Sequence, residues 1–360
     1  MVTSSSVCRF TSFYNPSVLE QYQSPFRERP LSEEEAFAKM VKNSQKALLE
    51  HQAVEPLKES QASVYASLED LSFPDFTESP VHPLHFTTFR ASAQGSKETM
   101  EDVSFISSIP RGIVAGVFDG HGGDKVANFA SLRFQEIFPS TLENSQGHIH
   151  RALEVTSGNL QKEIFQDSSM NSIGSTAVFS VFDSVKHQVI TTTIGDSEAN
   201  IYRKKEGKTF SIPLSCVRDW TSKKDEARAK AAHSDPGRFL SRDRFDKKVF
   251  GWGFAFEKLK HRRLVDNNKM QAINTSRTFG NFNYEGSCTH KGKTTTGNLQ
   301  IDDVIVLTSD GLKACKEADI VNIVAKNTPE NLPNALVNYA TSFKNSDNVS
   351  VVVIYASEKL

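Results

Sequence analysis

The stretch Gly112–Ala130 reads "GIVAGVFDGHGGDKVANFA". An apolar run reaches Phe118 and breaks into Asp119-Gly120-His121-Gly122-Gly123, after which apolar residues recur at helical spacing. A short apolar run of this kind, β-branched at its start and closed by glycines, predicts an interior strand. Glycines at the break permit backbone angles that other residues avoid, and they let a ligand approach the main chain. Asp119 and His121 are thereby expected on a turn at the mouth of a sheet. By itself the stretch fits two readings: a strand-to-helix turn capped by Asp119, or a ligand site at a strand end.

The same pattern recurs along the chain. Asp196 follows "VITTTIG", Asp310-Gly311 follows "VIVLTS", Asp347-Asn348 precedes "VSVVVIY", and Glu101-Asp102 precedes "VSFISSI". One acid at a strand end is ordinarily a turn former. Carboxylates gathered there repel one another unless positive charge separates them. Hard divalent cations with oxygen ligands, Mg²⁺ or Mn²⁺, are the natural counter-charge.

Composition narrows the class. The 360 residues suffice for one large domain or two smaller ones. Lys and Arg total 42 against 43 Asp and Glu, so no global charge favours nucleic acid or an anionic membrane. Cys8, Cys216, Cys288 and Cys315 are far apart, which indicates neither a zinc site nor a disulfide framework. Scattered thiols fit a reducing compartment. No apolar run is long enough to span a bilayer, and the start of the chain lacks a signal-peptide core. A cytoplasmic location is expected, with a transit peptide or export as an effector as alternatives.

Residues 1–30 read as an irregular tail. Residues 31–85 read as a helical extension opened by Ser32 and "EEE", a capping-box signature, and divided at Pro56. This extension is either a buttress or a partner-docking arm. Strand texture starts near Phe86. Helical patterns lie at Asp124–Phe138 and His150–Gln166, and "GSTAVFSVFD" with "HQVITTTIGD" forms a hairpin. Residues 204–270 carry dense charge of both signs, few strand signals and a helical piece, "TSKKDEARAKAAH"; they read as an inserted surface subdomain in which Trp252 and Phe254 are exposed or packed on the core. "DVIVLTSDG", two helical patterns (Lys316–Lys326 and Glu330–Phe343) and "NVSVVVIYA" close the chain. Strands interleaved with helix pairs predict a layered α+β fold.

"ETMEDVSF", "VFDGHGG", "GSTAVFSVF", "TTIGDSEANIYR", "NTSRTFGNF", "VIVLTSDGL" and "SDNVSVVVI" occur in that order over residues 90–356. This set resembles the metal-dependent protein phosphatase family of the 2C type. The resemblance implies a domain over 86–360 built as a four-layer αββα sandwich, two antiparallel sheets flanked by helix pairs, with two Mg²⁺ or Mn²⁺ ions at one end. It implies Asp119 as the acid bridging both ions, Asp310 and Asp347 on the first, Glu101 as a further metal acid, and the Gly120 carbonyl on the second. Asp102 corresponds to the acid that orients water, and His121 to a general acid for the leaving oxygen. A hydroxide generated between the ions would attack the phosphorus of phosphoserine or phosphothreonine in line.

Four positions depart from the family pattern. Lys97 stands where an arginine usually holds the substrate phosphate, which loses the bidentate fork. Glu198 replaces an arginine or small residue, Asn281 an aspartate, and Ala314 an aspartate that with Asp196 would form a weak third metal site. The expected function is a serine/threonine protein phosphatase acting on phosphorylated proteins. The alternatives are a low-activity binding or scaffold module recognising phosphoproteins, and a phosphatase of small metabolites.

Overall fold

The computed structural model describes residues 82–220, 222–232, 239–250, 253–265, 272–284 and 287–358. The tail at 1–30, all but the last four residues of the 31–85 extension, and Trp252 lie outside the described residues. In chain order the elements are β1 (Leu84–Ala93), β2 (Asp102–Ile109), β3 (Gly112–His121), α1 (Lys125–Asn144), α2 (Ile149–Gln166), β4 (Gly174–Asp183), β5 (Gln188–Ile194), β6 (Glu198–Lys205), β7 (Lys208–Pro213), α3 (Lys223–Ala232), β8 (Phe239–Phe250), β9 (Gly253–Val265), β10 (Ala272–Ile273), β11 (Phe279–Gly280), β12 (Lys293–Asn298), β13 (Val304–Thr308), α4 (Glu317–Lys326), α5 (Leu332–Thr341) and β14 (Val349–Glu358).

The alternation of side chains along each strand explains the layers. In β3, Ala115 and Val117 point to one core, and Val114 and Phe118 to another. In β14, Val352 and Ile354 face inward while Val351 and Val353 face the opposite side. Both strands are covered on both faces, which is why their sequences are continuous apolar runs. One sheet runs β1-β14-β13-β6-β7 and the other β12-β5-β4-β3-β2, with β11 on the edge of β4 and every pairing antiparallel. Their inner faces meet through Ala115, Val117, Val178 and Phe182 against Ile201, Ile305, Leu307 and Ile354. Helices α1 and α2 cover one outer face through Phe134, Phe138, Leu153 and Leu160. Helices α4 and α5 cover the other through Val324, Leu332, Leu336 and Val337. This is the expected four-layer α+β sandwich. Fully burying one such side chain contributes about 1.5–3 kcal/mol.

Two regions differ from the sequence reading. Helix α1 continues to Asn144 through Pro139; buried Phe134, Phe138 and Thr141 hold both halves on the sheet, so packing outweighs the backbone bond that proline forfeits. The region read as poor in strands contains β7, which pairs with β6 in the main sheet. It also contains the long β8–β9 hairpin, which forms a separate three-stranded sheet with β10. Charges of both signs along "SRDRFDKKVF" and "EKLKHRRLV" leave no clean apolar face to read.

Candidate metal centre

Strand pairing brings the acids together. Asp102 opens β2 opposite Asp119 of β3, so Glu101-Asp102 and Asp119-Gly120 lie side by side at one end of a sheet. The Gly120 amide donates to the Glu101 carbonyl at 3.1 Å. A Cβ at residue 120 would lie 2.6 Å from that oxygen, so only glycine permits this approach. In the facing sheet Thr308 pairs with Val351, which puts Asp310, just past β13, beside Asp347, just before β14. The Asp310 amide donates across to Asp119 Oδ2 at 3.3 Å. The Glu101 amide donates to Asn348 Oδ1 at 2.8 Å, and Asn348 Nδ2 donates to the carbonyls of Gln94 and Thr99. The ends of both sheets are thus stitched around one place.

That place is a cleft of about 420 Å³ whose walls include Glu101, Asp119, Gly120, His121, Asp196, Asp310, Asp347 and Lys97. Asp102 lies behind this wall. It is buried, and its Oδ2 accepts from Ser309 Oγ at 2.6 Å, which in turn accepts from the Ser350 amide at 3.0 Å. Glu198 is not on the cleft; it lines a second cavity of about 290 Å³ with Tyr202, Lys313 and Glu317.

Burial, reinforced by repulsion among the acids, governs the electrostatics. Burial, then the charges of Asp310, Asp102 and Asp196, push Asp119 well above the usual carboxylate range. Burial raises Asp102 to about 7 against the pull of its serine partners. Burial and Asp196 raise Asp310 to about 6, and burial raises Glu101. Two lysines answer these charges: Lys97 Nζ is 2.6 Å from Asp347, and Lys313 Nζ is 2.7 Å from Asp196. Among the described residues no three Asp, Glu, His or Cys side chains close into a finished metal cage. The fit to a cation rests instead on the donor set: carboxylates of raised affinity for positive charge around one cleft, with a main-chain approach only glycine allows. Such an all-oxygen set suits Mg²⁺ or Mn²⁺.

His121 Nε2 lies 2.5 Å from Asn281 Oδ1. Thr278 Oγ1 donates to the same oxygen, and Asn281 Nδ2 donates to the Ser172 carbonyl. With the amide in this orientation, Nε2 of His121 donates to Oδ1. Burial lowers the pKa of His121, opposed by the Asn281 bond and by Asp196.

Sequence reading missed Asp225. Its carboxylate is fully buried and accepts from Arg228 and, at 3.0 Å, from Arg277. Arg228 also donates to the Ser276 carbonyl, so the cluster ties α3 to the segment carrying Thr275 and Asn281 on the cleft wall. In sequence, "KKDEARAK" is indistinguishable from a solvated helix face. No helix among the described residues is long and apolar enough to cross a membrane.

Residues 91–349 match the family model described as protein phosphatase 2C. The chain is 34% identical over 120 residues to the probable protein phosphatase 2C 45 of Oryza sativa subsp. japonica, covering 31% of this chain and 41% of that protein. It is 33% identical over 99 residues to protein phosphatase 2C homolog 2 of Aspergillus flavus, covering 27% and 22%. Each alignment therefore spans less than half of the relative. Among solved structures, a phosphatase from a pathogenic strain of Toxoplasma gondii superposes with a TM-score of 0.60 at 16% identity over 78% of this chain and 95% of that one. The serine-threonine phosphatase 2C of Toxoplasma gondii gives 0.57 at 16% over 78% and 98%. A C. elegans sex-determining protein gives 0.56 at 18% over 76% and 65%. At these identities the structural likeness establishes a shared fold.

Proposed function

The chain belongs to the protein phosphatase 2C family, and on that premise we propose that it hydrolyses phosphoserine and phosphothreonine in proteins with two Mg²⁺ or Mn²⁺ ions. The observation that carries this reading is the cleft on which Glu101, Asp119, Asp310 and Asp347 meet from four separate segments. Asp119 would bridge the ions, Asp310 and Asp347 would hold one, and Glu101 with the Gly120 carbonyl the other. Bound there, the ions would supply a water acidic enough to ionise near neutral pH and would screen charge on the phosphoryl oxygens.

The remaining work falls to the chain's own groups. Burial lowers the pKa of Lys97, but Asp347, Asp310 and Asp119 outweigh it and raise the net value; the side chain meets a phosphate as an ammonium, a point charge without a fork. Without metal, burial holds Asp102 at about 7 behind the cleft wall; two bound cations would favour its charged form. His121 keeps one proton on Nε2 against Asn281, so donation to a leaving oxygen requires a second proton on Nδ1. Burial makes that charged form scarcer.

Turnover of p-nitrophenyl phosphate and of a phosphothreonine peptide should require Mn²⁺ and cease in chelator. Asp119→Asn or Asp310→Ala should reduce it on the order of 100-fold or more, the scale of losing a metal contribution. Either variant retaining most of the wild-type rate at saturating Mn²⁺ would refute the assignment. The ion pairs Lys97–Asp347 and Lys313–Asp196 favour one second reading, a phosphoprotein-binding module of low activity. Phosphopeptide binding without turnover at any Mn²⁺ concentration would select it.

A further inference from the structure

Asp310 and Lys313 leave the same short helical turn, Asp310–Ala314, and reach opposite sides of a thin wall. Asp310 lines the 420 Å³ cleft, and Lys313 lines the 290 Å³ cavity beside Glu198 and Glu317. The ammonium of Lys313 crosses that wall to Asp196 on the rim of the cleft, 2.7 Å away. The contact is sheltered: the Asp196 side chain is 15% exposed and the Lys313 side chain 35%. Burial disfavours the charge on Lys313, yet Asp196, Asp310 and Glu198 together raise its pKa. Asp196 and Glu198, two residues apart, and Asp310 on the same turn as Lys313 therefore all bear on one tethered cation, which touches Asp196. Ala314, the next residue, contributes no oxygen.

We propose that Lys313 is a resident cation of this site, seated where a further divalent ion would have to bind Asp196. Asp196 is then the partner of a sheltered protein ammonium and not a metal ligand, whereas Lys97 and Asp347, paired at 2.6 Å with side chains 53% and 44% exposed, stay open to exchange for a cation. The metal complement stops at the two ions held by Glu101, Asp119, Gly120, Asp310 and Asp347. This rests on the metal-centre reading above and replaces the weak third site expected at Asp196. A tethered ammonium is present at every metal concentration, so this end of the site would not depend on free cation.

The test is a count of Mn²⁺ bound to the full chain by equilibrium dialysis over rising free Mn²⁺. Wild type should saturate at two ions, and Asp196→Asn should leave that isotherm unchanged. Lys313→Met keeps the stem and removes the charge; it should take up a further ion at least tenfold more tightly than wild type does. The double variant Asp196→Asn/Lys313→Met should lose that ion, and Lys313→Arg should behave as wild type. In chelator, where no metal contributes, Lys313→Met should melt below the double variant, because Asp196 alone is then left unpaired. A Lys313→Met isotherm identical to wild type, or a third wild-type ion abolished by Asp196→Asn, would overturn the proposal. Wild type binding no Mn²⁺ would instead overturn the metal-centre reading and the proposal with it.

Discussion

In chelator, the stability of this protein should fall as pH rises from 5 to 8, and Asp102 should account for much of the fall. An aspartate normally titrates near 3.8, and burial holds Asp102 at about 7. Between those values the native state keeps a proton that the unfolded chain has released. The native state therefore binds more protons, and stability declines with rising pH across the window. The contribution is complete below the unfolded value and gone above about 7. At about 1.4 kcal/mol per pH unit the full span is at most ~4 kcal/mol, and sharing of charge with Asp119 and Asp310 makes ~2–4 kcal/mol the expected size. Asp225, whose carboxyl is lowered by Arg277 and Arg228 against the effect of burial, acts below about pH 4 and does not interfere. Asp102→Asn keeps an acceptor for Ser309 and removes the charge. Urea unfolding in EDTA should find the variant's stability advantage over wild type growing by up to ~3 kcal/mol between pH 5 and pH 8, because about two units of the window lie above pH 5. Parallel pH profiles, or wild type gaining on the variant as pH rises, would show that Asp102 does not titrate in this window.

Asp225→Ala should cost about 3–5 kcal/mol, because it leaves Arg228 and Arg277 without their buried partner; a melting curve within a degree of wild type would show the cluster to be idle. Asn281→Asp should raise the pKa of His121 by giving its charged form a carboxylate. If His121 acts as the acid, the rate falls as pH climbs through that value, so the variant should stay active to higher pH; an unmoved alkaline limb would exclude His121 from the step. Lys97→Arg should lower KM for a phosphopeptide with kcat nearly unchanged, since a phosphate clamp holds ground and transition states alike. A tenfold loss of kcat/KM would show that lysine is specifically required.

The sandwich was legible because its strands are buried on both faces and keep their apolar runs intact, as "GIVAGVF" and "VSVVVIY" do. The acids of the cleft were legible for the same reason, since each marks the end of such a run. What the sequence hid lies where charge serves tertiary contacts. Asp225 sits in a run of lysines and acids that reads as solvated, yet it is fully buried between two arginines. Lys313 reads as a surface residue of a turn until the fold carries Asp196 to within 2.7 Å of it. Glu198, two residues past Asp196, lines the neighbouring cavity and not the cleft; regular β6 begins only at Glu198 itself. The β8–β9 hairpin escaped because its charges leave no apolar face to set a period of two.

Calorimetric titration of Mn²⁺ into the metal-free protein decides whether the carboxylates around Asp119 hold divalent cations. Wild type should bind two ions, and Asp119→Asn should bind both far more weakly at unchanged far-ultraviolet circular dichroism. If wild type bound none, or the Asp119→Asn isotherm overlaid its own, the cleft would not be a metal centre.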